Sequence, residues 1–173
     1  MEHLVVTVVA PDKPGQVERI ADCIAGQGGN WLESRLSRLA GQFAGILRVS
    51  VPSDNRQALV EALNGLTAHD IRVLLADSTD SDSDTVWKPI SMELVGNDRP
   101  GIVRDITRLL TEQGVNVERL VTDVAPAPMS NEPLFHAEAT LGVPQNLALE
   151  DLQARLETLA DDLMVELVLR TEL

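Results

Sequence analysis

The chain has 173 residues, 44% of them apolar, enough to bury a core in one medium domain or in two small ones of roughly 80 residues. Its 27 acidic against 14 basic residues give a formal charge of -13, which opposes direct binding to a polyanion such as DNA, whose affinity comes from Lys and Arg neutralising phosphates. A single cysteine, Cys23, excludes an intramolecular disulfide and any cysteine-rich zinc site.

The N-terminus, MEHLVVTVVAPDKPG, carries an acid where a signal peptide carries positive charge. Its apolar run is too short to span a membrane, so it reads as the first strand of a cytoplasmic protein with no membrane association. A helix over residues 14–27 follows, because Val17, Ile20, Ala21 and Ile24 fall on one face, and Gly28 and Gly29 end it. NWLESRLSRL and QFAGILRVSV read as strands joined at Ala40-Gly41. DNRQALVEALNGL reads as a helix with Asp54 near its cap and Leu59, Leu63 and Leu66 inward, and DIRVLLAD as a closing strand.

The stretch DSTDSDSDTV that follows is polar and acidic, cannot bury apolar surface, and reads as a linker over residues 78–85. Beyond it the same order returns: a strand PISMELVG, a helix from Pro100 to Gln113 with Val103, Ile106 and Leu110 inward, and a strand VNVERLVTDV. The connection APAPMSNEP leads to LFHAEATLGV, in which Phe135, Ala137, Ala139 and Leu141 alternate with His136, Glu138 and Thr140. A helix bearing Leu152, Leu156 and Leu159 and a strand LMVELVLR close the chain.

The two halves are an internal repeat. Residues 12–30 laid on 98–116 match at Asp12/Asp98, Pro14/Pro100, Gly15/Gly101, Val17/Val103, Ile20/Ile106, Gln27/Gln113, Gly28/Gly114 and Asn30/Asn116, against roughly one identity expected by chance. The order β-α-β-β-α-β, twice, predicts an α+β chain of two ferredoxin-like domains, residues 1–77 and 86–173. Each would be a four-stranded antiparallel sheet with two helices on one face. The open face of the second sheet would carry Glu93, His136, Glu138, Glu166 and Arg170 and is expected to meet water.

The repeated Asp-x-Pro-Gly lies where a strand hands over to a helix, whose first N–H groups lack partners. Asp12 and Asp98 can cap those groups, and Pro14 and Pro100 suit a first helical turn. Gly15 and Gly101 weaken a first turn by roughly 0.5–1 kcal/mol relative to Ala, a loss that close approach of a backbone or small ligand would offset. Free N–H groups at a helix start also suit a carboxylate.

Strand, Asp-x-Pro-Gly, helix and Gly-x-Asn, as DKPG with GGN and DRPG with GVN, resemble the ACT domain, and two copies cover nearly the whole chain. GNWLESRLSRLAGQFAGIL further resembles the glycine cleavage system transcriptional repressor family of stand-alone tandem ACT proteins, with Trp31 where that pattern has Ile. The resemblance implies a regulatory protein, not an enzyme, that binds a small amino acid, glycine first among candidates. It implies action through a DNA-binding transcription regulator instead of direct contact with nucleic acid. It places ligand where two ACT domains meet, held by Asp12, Gly15 and Asn30 in one half and Asp98, Gly101 and Asn116 in the other. Two alternatives stay open: an ACT-type interaction protein without ligand, and a regulatory relative of formyltetrahydrofolate deformylase, whose ACT segment begins similarly. A homo-oligomer is also left open.

No catalytic cluster, cofactor motif or metal-ligand spacing stands out. Cys23 flanks the first helix's apolar stripe and reads as packing, and His3, His69 and His136 share no ligand spacing. Arg104 and Arg108 stand at i, i+4 on the outer side of their helix. Trp31 and Trp87, without basic neighbours to suggest base stacking, read as packing at a domain junction.

Overall fold

Strict alternation makes the first strand: in β1 (Glu2–Pro11), Leu4, Val6, Val8 and Ala10 face one way and are buried, while the residues between them face outward. In the computed structural model, which describes residues 1–79 and 86–171, β1 is one of the two inner strands of a four-stranded sheet. It is followed by α1 (Gln16–Gly26), β2 (Asn30–Leu39), β3 (Gln42–Val51), α2 (Arg56–Asn64) and β4 (Arg72–Asp77). The strand order is β2-β3-β1-β4, antiparallel throughout. The β2–β3 hairpin turns at Ala40 and Gly41, both at positive φ (50° and 80°), the two-residue geometry that matches strand twist.

The second half repeats this with β5 (Trp87–Asn97), α3 (Ile102–Glu112), β6 (Asn116–Pro126), β7 (Pro133–Pro144), α4 (Leu149–Leu163) and β8 (Val165–Thr171), in the order β6-β7-β5-β8. The two halves form separate compact units, Met1–Ser81 and Asp82–Leu173. Of the expected linker, residues 78–85, all but Ser78 and Thr79 lie outside the described residues. Each unit closes its own core between one sheet face and its two helices. Leu4, Ile20, Ile24, Leu47, Leu59 and Leu63 anchor the first, and Ile90, Leu94, Leu110, Leu141, Leu152 and Leu156 the second. The expected α+β, doubly repeated βαββαβ fold is the fold observed.

Two details differ from the sequence reading. The first helices begin at Gln16 and Ile102, two residues later than the prolines. Their buried stripes are Gln16-Ile20-Ile24 and Ile102-Ile106-Leu110, while Val17 and Val103, expected inward, are 45% and 39% exposed. At about 100° per residue, a step of four rotates by about 40° and a step of three by about 60° the other way. The residue four before each central Ile therefore sits closer to the core line than the valine three before it. In the second unit, the strands run slightly into the expected connection: β6 extends to Pro126 and β7 starts at Pro133, leaving residues 127–132 as the connection, with Asn131 in the left-handed region.

The C-terminal end of α1 is tied to the start of α2 by Asn55, whose side-chain amide donates to the Gln27 carbonyl at 2.9 Å. This bond satisfies a carbonyl at the helix end. Asn55→Ala is expected to cost about 1 kcal/mol, seen in urea denaturation as a lower midpoint with an unchanged slope.

The open sheet faces differ in chemistry. That of the first unit presents Val9, Ile46 and Leu74 to solvent, whereas that of the second carries Glu93, His136, Glu138, Glu166 and Arg170. Among the described residues no helix is long and apolar enough to cross a membrane.

Candidate functional site

The two strand-to-helix corners are built alike. The Asp12 N–H donates to the Gly41 carbonyl and the Asp98 N–H to the Pro133 carbonyl, both at 3.0 Å, so each corner is pinned to the neighbouring hairpin. The chain then turns through Pro-Gly, with Gly15 at φ 93°, ψ -9° and Gly101 at φ 94°, ψ -2°. Those angles match the third residue of a type II turn, whose second residue favours proline. The turn thus calls for the glycine and favours the proline.

This corrects the expected reasons for the motif. Pro14 and Pro100 precede the helices instead of forming their first turns. Neither aspartate caps: among the described residues no side chain bonds the first N–H groups of α1 or α3. Asp12 lies instead 3.6 Å from the Arg38 guanidinium. Nor does a close neighbour dictate the glycine. A Cβ on Gly15 would meet nothing within 4 Å, and one on Gly101 would approach only the Arg104 guanidinium, 2.9 Å from Nη2. The left-handed conformation dictates it.

What remains at the first corner is an open hollow of about 230 Å³ bounded by Asp12, Lys13, Gly15, Gln16, Glu18 and Phe43. Gln16 is only 2% exposed and occupies the first core position of α1. Its Nε2 donates to the Pro11 carbonyl at 3.2 Å, an acceptor that fixes which end of the amide is nitrogen. Its Oε1 is left buried without a hydrogen-bond partner among the described residues. Buried polar atoms are nearly always satisfied, so an orphan acceptor beside a helix start with free donors marks a place suited to a polar ligand. The second corner is different: Ile102 takes the place of Gln16, and Arg104, paired with Asp105 at 3.1 Å, folds over Gly101. The sequence reading missed Gln16, although the repeat sets it opposite an isoleucine.

Asp12 and Gly15 share the first corner, and Asp98 and Gly101 the second. Asn30 and Asn116 do not join them within their own units. Asn30 pairs with Ser50, which pairs with His3, whereas the corner follows Pro11 at the other end of β1. Eight residues of strand put these ends roughly 26 Å apart. Asn116 relates in the same way to Gly142 and Pro89.

Cys23 and Trp31 are packed side chains. Cys23 packs partly buried against the first core, and burial pushes its thiol pKa up, which keeps it an unreactive thiol. Trp31 packs against the core of its own unit.

Residues 2–75 match the ACT domain family. Over 163 residues, 93% of this chain and 85% of the relative, the chain is 24% identical to the glycine cleavage system transcriptional repressor of Escherichia coli (strain K12). Its fold matches the crystal structure of an unknown protein from Galdieria sulphuraria with a TM-score of 0.82 at 24% identity, covering 99% of each chain. A crystal structure provisionally named as a glycine cleavage system transcriptional repressor matches with a TM-score of 0.73 at 22% identity, over 99% of this chain and 97% of the other. The residues matched are those of the first unit, and the second unit has the same strand order and the same corner.

Proposed function

We propose that this tandem ACT-domain protein, similar to the glycine cleavage system transcriptional repressor of Escherichia coli, is an amino-acid-sensing regulator of transcription with no enzymatic activity of its own. It works in the cytoplasm through a DNA-binding regulator protein. A formal charge of -13 disfavours direct contact with operator DNA and suits action through such a partner.

The observation that carries the sensing role is the first corner. The start of α1, whose N–H groups no described side chain caps, and Gln16, whose Oε1 is buried without a partner among the described residues, line one hollow, and a turn of the Gln16 side chain would bring Oε1 to it. An α-carboxylate would take the N–H groups, and an α-ammonium would donate to the amide oxygen. Asp12 and Gly15 shape the wall. Asp98 and Gly101 form the corresponding wall of the second corner, where Ile102 offers no such acceptor. Glycine, with few atoms and no side chain to place, is the first candidate.

A ligand this small implies weak binding, with Kd between roughly 1 μM and 1 mM. Calorimetric titration of glycine, alanine and serine into the full chain should give saturable heat in that range for at least glycine. No heat at millimolar concentrations would leave the corner as architecture and favour an interaction module without ligand. Asn30→Ala and Asn116→Ala should leave the heat unchanged if a corner holds ligand alone. A loss in either would mean that a residue distant from the corner within its own unit takes part in binding.

A further inference from the structure

On the open face of the second sheet, β5 and β7 place Glu93 and Glu138 directly opposite each other, with His136 two residues before Glu138 on the same face. The His136 Nε2 lies 3.3 Å from Glu93 Oε1 and 3.9 Å from Glu138 Oε1, and one ligand atom from each of the three residues falls within 4.8 Å of the others. On the other side of the ring, Nδ1 lies 3.8 Å from the Asp123 carboxylate on β6. We infer that Glu93, His136 and Glu138 form a binding site for a divalent first-row transition ion, zinc first.

Three physical points carry this. A tetrahedral ion with bonds of about 2.1 Å sets its ligand atoms about 3.4 Å apart, the scale of the separations found here. One imidazole and two carboxylates are a ligand set that suits zinc and its neighbours in the first transition row. A histidine that ligates through Nε2 is held in the right tautomer when its Nδ1–H faces a carboxylate, the position Asp123 occupies.

Charge points the same way. Two carboxylates directly across a strand pair repel unless a cation lies between them. Arg119 and Arg170 line the hollow beside Glu93 and Glu138, so the carboxylates of Glu93, Glu138 and Asp123 outnumber the two arginines and leave negative charge for a dication to offset. The ligands stand on paired strands, which hold side chains more firmly than loops do. Sequence spacing hides the site because Glu93 lies 43 residues before His136. The expectation that His136 shares in no ligand set therefore concerned spacing along the chain, and the sheet supplies the partners.

The test uses the untagged full chain after chelator treatment, titrated with zinc chloride by calorimetry and with cobalt(II) by visible absorption. One ion per chain is expected with micromolar Kd, and cobalt should develop ligand-field bands. His136→Gln should weaken zinc binding at least thirtyfold, and Asp123→Asn, which only orients the ring, about tenfold. Both variants should keep the parent's circular dichroism, since both side chains are partly or largely exposed. Absence of binding at millimolar zinc overturns the inference, as does binding that His136→Gln leaves unchanged, which would place the ion on other acidic groups of the chain.

Discussion

Gly45→Ala is expected to destabilise the first unit by about 3 kcal/mol, near the upper end of the usual cost of overpacking. Gly45 lies in β3 between Val8 of β1 and Leu36 of β2. A methyl there would stand 2.0 Å from the Arg35 carbonyl oxygen and 2.7 Å from the Leu36 Cα. Both are backbone atoms, so no side chain can rotate aside, and relief requires β2, an edge strand, to move off β3. The second unit holds the control. Its equivalent position, opposite Leu94, is Ala137, paired on the far side with Thr122 and only 5% exposed, so the same slot tolerates a methyl where the strands leave room. Ala137→Gly should accordingly cost only about 0.5–1 kcal/mol, from added backbone freedom. In a unit of this size, a 3 kcal/mol loss lowers the melting temperature by roughly 10 °C or more. Hydrogen exchange should locate the loss in the β2 and β3 amides, and a Gly45→Ala protein that melts within a degree of the parent would refute the collision.

The fold was legible because period and punctuation agreed. Alternation in β1 and β7, four-residue steps in the helices, and Ala40-Gly41 at the hairpin each named one structure, and the repeat checked one half against the other. Legibility stopped where the answer depended on a single angle or on distant partners. Asp-x-Pro-Gly was visible as a corner, yet only the positive φ of Gly15 and Gly101 shows that the turn itself demands glycine. Asp12 has the right chemistry to cap a helix, but the inserted Pro-Gly turn carries it away from α1 towards Arg38. Asn30 and Asn116 follow the motif closely in sequence, and the length of α1 and α3 moves them to the opposite end of the sheet. Glu93 and His136 meet only because β5 pairs with β7.

Gln16→Ile is expected to make the protein more stable and less able to bind its ligand. The parent buries an amide oxygen without a partner, a defect worth about 1–3 kcal/mol. Isoleucine is what the repeat itself places at this position, as Ile102, 3% exposed in the second core. Against the gain stand a slightly lower helix propensity and the loss of the Gln16 bond to the half-buried Pro11 carbonyl, which water can replace. The net expectation is about 1 kcal/mol of added stability, seen as a higher urea midpoint. If a ligand ammonium donates to Oε1, removing that charge-assisted hydrogen bond should weaken glycine binding by roughly 1.5–3 kcal/mol, a tenfold to hundredfold rise in Kd. Stability and affinity moving in opposite directions would identify the orphan oxygen as one kept for binding at a cost to the fold. Added stability with unchanged affinity would remove Gln16 from the site. A less stable variant would show instead that the amide's bond to Pro11 holds the corner together, and the unpartnered oxygen would then be only the other end of a structural amide.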